Sequence, residues 1–250
     1  MSTPYLSIVI PAYNEATRLP QTLAKVMRFV EAQPYQAEVL VVENGSQDGT
    51  YEIARQFAEG HPCLRVFHEE GRGKGLAVRR GMLQARGQYR FMADADLSMP
   101  IEEVSLFLPP LTQGYDIAIG SREAAGAVRY NEPQVRHLGG RGINSIIRWF
   151  ALPGLNDTQC GFKCFTAAAA QDLFGVQTLT GWSFDIELLY VARLRGYRII
   201  EIPIQWYYTP ESKVKPLQDA LRMIADIFRI RRNARQGAYE RSVRSNASTA

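Results

Sequence analysis

The sequence predicts an α/β protein with a mostly parallel central sheet and helices on both faces. Two observations support this. Short runs rich in valine and isoleucine alternate with amphipathic helical stretches, as in βαβ units whose strands are buried on both faces. The distinctive polar residues follow the carboxyl ends of those runs, which is the edge where open α/β sheets bind ligands.

The first 120 residues contain five predicted strands, in the runs YLSIVIPA, AEVLVVE, LRVFHE, YRFMADA and YDIAIGS. Three amphipathic helices are predicted between them, at 19–32, 49–58 and 76–85, and another helix before the last run. The polar stretches YNE, ENGSQDGT, DAD and SRE follow four of these strands. We therefore expect their side chains to meet at one edge of the sheet.

The second half begins with residues 121–142, which lack periodicity and are predicted to form a long mobile loop. An amphipathic helix is predicted in INSIIRWFAL (143–152) and a strand in DTQCGFKCF (157–165). Helices at 166–174 and 184–195, a strand in YRIIEIPIQWYY and a helix from Leu217 complete the series.

The composition excludes several classes of protein. The chain has 250 residues, of which 46% are apolar and 22% charged, so it is neither disordered nor too small for a core. It has no run of eighteen consecutive apolar residues, and its first fifteen residues do not predict a secretory signal. Three cysteines without a CxxC pair favour a reducing compartment.

The stretch DTQCGFKCF has the period-two pattern of a strand. One face would carry Thr158, Cys160, Phe162 and Cys164, and the other Asp157, Gln159 and Lys163. The cysteines are predicted to pack in the core, because two further soft metal ligands are missing nearby. Gly161 would let a backbone or ligand approach closely.

Two motifs could bind a nucleotide diphosphate. Asp94 and Asp96 end a strand and offer hard oxygen ligands for Mg²⁺ or Mn²⁺, although a solvated turn is an equal alternative. In GRGKG, Arg72 and Lys74 could meet a diphosphate, or the stretch could be a flexible basic turn. It is not a P-loop, and no GxGxxG follows the first strand, which argues against NAD.

Together these motifs resemble a known family. PAYNE, ENGSQDGT, GKG and DAD are similar to motifs of the GT-A family-two glycosyltransferases. AIGSR, DTQCGFKCF, WSFDIELLY and SKVKP resemble the branch of the dolichyl-phosphate β-glucosyltransferases, close to the dolichyl-phosphate mannose synthases. The resemblance covers about residues 5–232.

The resemblance implies a GT-A fold and an inverting transfer of a hexose, with glucose favoured, from a nucleotide diphosphate sugar to polyprenyl or dolichyl phosphate. Asp157, Asp96 and Arg122 are the implied catalytic residues, and Asp94 and Asp96 the ligands of Mg²⁺ or Mn²⁺. The implied nucleotide-sugar residues are Pro11, Tyr13, Glu15, Asn44, Asp48, Lys74, Asp94 and Gln159. Arg122, Arg129, Arg136 and Lys213 are the candidates for the acceptor phosphate.

The resemblance leaves some points open. Glu43 and Asn44 replace the two Asp that the family usually has, so both UDP-glucose and GDP-mannose are candidate donors. Ser98 stands where mannose synthases often have Gln, so a third metal ligand is undetermined. Asp157 could be a base or a positioning group. Asp185 and Glu187 could serve the site or only the helix dipole.

Three regions are predicted along the chain. Residues 1–210 form the catalytic domain, with the nucleotide sugar bound by about 1–120 and the acceptor by about 121–210. Residues 211–236 form a basic amphipathic helix, which could lie on a membrane surface or pack on the domain's own core. Residues 237–250 are predicted to be a disordered tail. We expect a cytoplasmic protein, peripheral on the cytosolic face of a membrane.

Several other functions are alternatives to this one. They are a GDP-mannose-dependent mannose synthase, a family-two transferase with a non-lipid acceptor, a sugar-nucleotide pyrophosphorylase and a binding protein without catalysis. A pyrophosphorylase needs a Gly-rich loop with Arg after the first strand, where this chain has AYNEATR. Residues 211–250 carry nine Lys and Arg against four Asp and Glu, but without the interleaved aromatics of a nucleic-acid binder.

Overall fold

The computed structural model describes residues 3–132, 151–208 and 216–240. Seven strands form the central sheet in the order β3-β2-β1-β4-β7-β5-β8, and all are parallel except β7. They are β1 Leu6–Ala12, β2 Ala37–Glu43, β3 Leu64–His68, β4 Tyr89–Met92, β5 Ile117–Ser121, β7 Lys163–Thr166 and β8 Ile199–Pro203. Two further strands, β6 Val128–Tyr130 and β9 Gln205–Tyr207, pair with each other as a separate parallel ribbon.

Helices cover both faces of the sheet, as the apolar strands require. They are α1 Leu19–Glu31, α2 Thr50–Glu59, α3 Lys74–Gln84, α4 Ala167–Val176, α5 Phe184–Leu194 and α6 Pro216–Arg235, with a 3-10 helix at Ile101–Phe107. Because side chains alternate along a strand, Val9 of β1 packs with α3, α4 and α5, whereas Ile8 and Ile10 pack with α1. The mostly parallel α/β sheet predicted from the sequence is confirmed.

The stretch DTQCGFKCF differs from the predicted strand, because β7 begins only at Lys163. The preceding residues leave the extended path where Asp157 turns toward Arg122 and Gly161 lies against Asp94. Cys160 and Cys164 are nevertheless buried in the core, as expected, and burial raises the pKa of each thiol to about 12.

Two other predicted elements also differ. The run YRIIEIPIQWYY is divided between β8 and β9, because the chain crosses at Ile204 from the main sheet to the ribbon. Ile204 bonds Ser121 of β5 through its N–H and Val128 of β6 through its carbonyl. The predicted loop 121–142 contains β6 instead of being structureless throughout. Its remainder from residue 133 and residues 143–150 of the predicted helix lie outside the described residues. The last two residues of that prediction, Ala151 and Leu152, are described and are not helical.

The C-terminal helix packs on the domain itself. Met223, Ile227 and Ile230 of α6 are buried in the core formed with α5, which favours the second of the two alternatives for this helix. Within the described ranges, no helix is long and apolar enough to cross a membrane.

The predicted tail begins inside the folded domain. Tyr239 is only 6% exposed, its hydroxyl donates to Glu187 Oε1 at 2.7 Å, and its carbonyl accepts from Arg195 Nη2 at 2.6 Å. Residues 237–240 are therefore part of the fold, because a single buried aromatic side chain outweighs the polar character of its neighbours.

We expect Tyr239→Ala to lower the free energy of unfolding by about 3 kcal/mol, since it removes a buried aromatic ring. Tyr239→Phe should cost about 1 kcal/mol, because only one hydrogen bond to Glu187 is lost. Urea denaturation measures both. Glu240→Ala, at an exposed neighbour, is the control, and equal midpoints for all three variants would contradict the packing of Tyr239.

Candidate active site

The predicted site residues gather at the carboxyl edge of the sheet. Asp94 and Asp96 follow β4, Arg122 follows β5, and the loops after β1 and β2 lie at the same edge because those strands run parallel. The antiparallel β7 begins at this edge, so the residues that precede it, including Asp157 and Gly161, also reach it. The sheet thus unites the two halves of the sequence in one site.

Asp94 contacts both halves. Its Oδ1 lies 2.6 Å from Lys74 Nζ at the start of α3. A Cβ placed on Gly161 would lie 1.8 Å from Asp94 Oδ2, so the carboxylate occupies the space that any larger residue would need. Gly161 is therefore a glycine because Asp94 packs against its Cα.

The GRGKG motif packs tightly against the start of α5, which argues against the alternative of a flexible basic turn. A Cβ on Gly73 would lie 2.3 Å from the carbonyl oxygen of Thr180, and Gly73 has φ +139°. A Cβ on Gly75 would meet Phe184 at 2.7 Å. These two glycines allow the start of α3 to pack against the start of α5. The backbone position of Lys74, which lies between them, is fixed by this packing.

Lys74 is held as a cation at this edge. Its ammonium lies 5.2 Å from the ring centroid of Trp182, in addition to its bond with Asp94. Burial disfavours the charged form, but the carboxylates of Asp94 and Asp185 outweigh it and raise the pKa of Lys74. Sequence analysis expected Lys74 at a diphosphate, and the structure places it beside the carboxylate pair that would hold the metal.

The donor set of Asp94 and Asp96 fits a hard divalent cation. Burial and the repulsion from the negative charge of Asp94 raise the pKa of Asp96. A cation bound between the two carboxylates would relieve this repulsion. The Ser98 N–H donates to Asp96 Oδ1 at 3.1 Å. In the part of the chain that the structure describes, no group of three His, Cys, Asp or Glu side chains could hold a metal ion.

Behind Asp94 lies a buried ion pair that sequence analysis did not predict as a pair. Lys163 Nζ lies 2.7 Å from Asp185 Oδ1, and both side chains are at most 5% exposed. Lys163 also donates to the carbonyl of Cys160 at 2.5 Å. Burial raises the pKa of Asp185, and the charges of Lys163 and Lys74 oppose that rise. Asp185 therefore belongs to the charge cluster of the site.

Glu187, the other acid in this helix turn, has a structural role. Its carboxylate accepts from the N–H groups of Thr178 and Leu179 and from the hydroxyl of Tyr239. These bonds fix the segment that leads into α5.

Asp157 forms a buried, bidentate ion pair with Arg122. Arg122 Nε donates to Oδ2 at 2.6 Å and Nη2 to Oδ1 at 2.9 Å, and the Arg122 N–H adds a bond of 3.0 Å. Burial alone would raise the pKa of Asp157, but Arg122 lowers it to about 2. Asp157 likewise raises the pKa of Arg122 against the effect of burial. Both groups are charged at neutral pH.

Glu201 of β8 holds the backbone on which Asp157 lies. Its carboxylate accepts from the N–H of Asp157 at 2.9 Å, and from the N–H and Nδ2 of Asn156 at 3.0 and 2.8 Å. Sequence analysis did not select Glu201. The available signal was a single acid within the apolar run RIIEIPI.

Two predicted acceptor arginines flank one aromatic ring. The guanidinium carbons of Arg122 and Arg129 lie 5.4 and 5.9 Å from the ring centroid of Trp206. Arg129 also donates to Glu123 at 2.5 Å and to Glu132 at 2.6 Å. The other two candidates, Arg136 and Lys213, lie outside the described residues.

The loops after β1 and β2 are bonded to each other. Asp48 accepts from the N–H of Ala16 at 3.1 Å and from the hydroxyl of Thr50 at 2.5 Å, and Thr50 accepts from the N–H of Glu15 at 2.8 Å. Burial raises the pKa of Asp48, but these hydrogen bonds lower it below its usual value. The two loops therefore form one wall of the site.

The remaining predicted donor residues are near the same wall or near Asp157. Pro11 and Asn44 are buried at the ends of their strands, and the N–H of Asn44 donates to Ala12 at 3.2 Å. Tyr13 is half-buried. Gln159 donates its N–H to Asp157 Oδ1 at 3.3 Å, so its position follows that of Asp157.

Comparison with known proteins identifies the family. The family model for glycosyl transferase family 2 matches residues 7–173 of the chain. The chain is 37% identical over 244 residues to the dolichyl-phosphate beta-glucosyltransferase of Drosophila melanogaster, covering 90% of this chain and 74% of that protein. It is 34% identical over 256 residues to the human dolichyl-phosphate beta-glucosyltransferase, covering 95% and 78%.

A solved structure has the same fold. Glucosyl-3-phosphoglycerate synthase from Mycobacterium tuberculosis, in complex with Mn²⁺ and UDP-glucose, superposes with a TM-score of 0.63 at 18% identity. The match covers 94% of this chain and 79% of that one. The resemblance drawn from the motifs and the GT-A fold that it implied are thus confirmed. The chain belongs to glycosyltransferase family 2.

Proposed function

We propose that the protein transfers glucose from UDP-glucose to the phosphate of a polyprenol such as dolichyl phosphate, with inversion at the anomeric carbon. The observation that carries the proposal is the contact of Asp94 with Gly161. It brings a carboxylate of the donor half against the segment that carries Asp157, the partner of Arg122 in the acceptor half. The names of the relatives support the choice of sugar and lipid.

The donor is held at the edge formed by β1, β2 and β4. The bonded loops that contain Glu15 and Asp48 form the wall for the nucleoside, and Lys74 is a cation for the diphosphate. Asp94 and Asp96 would hold Mg²⁺ or Mn²⁺, which when bound stabilises negative charge on the leaving diphosphate. UDP is favoured as the nucleotide by the UDP-glucose complex of the structural relative.

The acceptor phosphate is held by the arginines of the acceptor half of the site. A lipid monophosphate has a second pKa of roughly 6, so at pH 7 it is mostly a dianion and needs cations more than a base. Its oxygen attacks C1 of glucose and forms the new C–O bond. The bond from C1 to the diphosphate breaks with its electron pair, and UDP leaves from the opposite face, so no proton has to be removed.

Asp157 acts as a positioning group in this scheme. Its two oxygens accept from the guanidinium of Arg122, and its pKa of about 2 makes it a poor proton acceptor at neutral pH. It holds the planar guanidinium in one orientation, with Glu201 fixing the backbone behind it. Arg122 is then pre-organised to bind a phosphate.

We expect purified protein with a divalent cation to transfer labelled glucose from UDP-glucose into an organic-extractable, mild-acid-labile lipid. Asp94→Asn should reduce the rate at least about a hundredfold, the scale for removing one preorganised electrostatic group. A panel of UDP-glucose, GDP-mannose and a non-lipid phosphate acceptor separates the rival reactions. No lipid product from any donor would refute the proposal, and GDP-mannose as the only donor would correct the sugar.

We expect Gly161→Ala to reduce kcat/KM by at least about tenfold, because the new methyl group displaces the Asp94 carboxylate from Lys74. Gly60→Ala is the matched control, since a Cβ there has nothing within 4 Å and φ is −90°. Donor affinity measured by calorimetry with UDP and Mn²⁺ should fall in the first variant alone. Equal affinities would show that Asp94 does not depend on Gly161.

The Asp157–Arg122 pair should make stability depend on pH in acid. The folded pKa of Asp157, about 2, lies below its usual value of 3.8, so its contribution of about 2 kcal/mol is present above pH 4 and is lost between pH 4 and pH 2. Asp157→Asn should therefore be less stable than wild type at pH 7, with a difference that shrinks over that window. Glu59→Gln, at an exposed carboxylate at the end of α2, is the comparison, and a difference between Asp157→Asn and wild type that does not change with pH would contradict the assignment.

A further inference from the structure

The ribbon of β6 and β9 has two chemically different faces. Arg129 and Trp206 are opposite each other in register and are half-buried, with Trp206 packed against the core and beside Arg122. The alternating neighbours point the other way and are exposed. This outer face consists of Val128, Tyr130, Gln205 and Tyr207.

The outer face is largely aromatic and apolar. Tyr130 and Tyr207 are paired in register, and their rings stack in parallel with centroids 4.4 Å apart. They remain 36% and 42% exposed, and Val128 beside them is 41% exposed. A stacked pair of tyrosines combines apolar ring faces with hydroxyl groups. That combination suits the boundary between head groups and acyl chains in a bilayer.

The position of the ribbon relates this face to the proposed acceptor. Arg129 and Tyr130 are consecutive residues of β6, so their side chains point to opposite faces of the same ribbon. Arg122 and Arg129, proposed to bind the lipid phosphate, lie at the inner face. The phosphate of a membrane lipid lies at the level of the head groups. A surface on the same two strands as Arg129 is therefore near the head groups when the lipid phosphate is bound there.

Charge supports the same partner. The sequence that follows the ribbon strand β6, residues 133–150, contains Arg136, Arg141 and Arg148 and no Asp or Glu. The sequence that follows β9, residues 209–215, has two Lys and one Glu. Basic residues that follow both ribbon strands in the sequence favour anionic lipid head groups.

We propose that the outer face of the ribbon, with Val128, Tyr130 and Tyr207 as its apolar contacts, docks on an anionic membrane surface. This presents the inner-face arginines to the phosphate of a membrane-borne acceptor. The inference deepens the proposed function and rests on it for the acceptor. The docking itself is a separate property that is measured without any sugar donor.

The test is vesicle sedimentation and kinetics with the double variant Tyr130→Ser/Tyr207→Ser. Wild type should sediment with phosphatidylcholine–phosphatidylglycerol vesicles more than with phosphatidylcholine alone. The double variant should bind on the order of tenfold more weakly. Leu194→Ser, at a residue 58% exposed at the end of α5, is the control and should bind as wild type does.

Kinetics then separate docking from phosphate binding. The double variant should raise KM for dolichyl phosphate in vesicles by about the same tenfold factor. Its KM for a short, water-soluble prenyl phosphate should stay within about twofold. An equal rise for both acceptors would overturn the proposal, since the tyrosines would then belong to the phosphate site.

The vesicle measurement decides the docking whether or not transfer is observed. Wild type that sediments with neither vesicle, or a double variant that binds like wild type, would overturn the proposal and leave the face to a protein partner. If the double variant does not fold by circular dichroism, Val128→Ser tests the same face with the tyrosine stack intact, and it should show a smaller loss of vesicle binding.

Discussion

The carboxylate of Asp94 lies between the ammonium of Lys74 and the Cα of Gly161, and the arrangement of the whole sheet edge depends on this contact. It joins three distant segments: the start of α3, the end of β4 and the loop before β7. Behind this contact, Lys163 and Asp185 form a second ion pair, so that positive and negative side chains alternate through the cluster. A buried charge is costly unless a partner of opposite sign lies within bonding distance, so these segments are held at close to fixed separations.

The same contacts require glycine at several positions of the site. The paired side chains can meet only if the backbones that carry them approach closely, and a side chain at Gly73, Gly75 or Gly161 would prevent that. Motifs that suggest a phosphate-binding loop can therefore have a packing reason. In GRGKG the glycines bring α3 against the start of α5, and the lysine between them is then directed at Asp94.

The acceptor side is organised by a second chain of contacts. Glu201 fixes the backbone at Asp157, Asp157 orients Arg122, and Arg122 shares the ring of Trp206 with Arg129. Trp206 belongs to a ribbon that is separate from the main sheet, so Arg129 on its inner face and the tyrosines on its outer face are carried by the same two strands. In the proposed scheme, one small element serves both the phosphate and the lipid surface.

The sequence alone determined the α/β class, the edge where the polar residues meet, and the family, because strand burial, strand ends and motif spacing are local properties of the chain. It also predicted that Cys160 and Cys164 are core residues. Only the tertiary structure decided that Asp157 pairs with Arg122, that Lys163 pairs with Asp185, that Glu201 supports the site and that Tyr239 is buried. Each of these depends on residues 22 to 52 positions apart, and no periodic pattern records which charges become neighbours once the strands are ordered in the sheet.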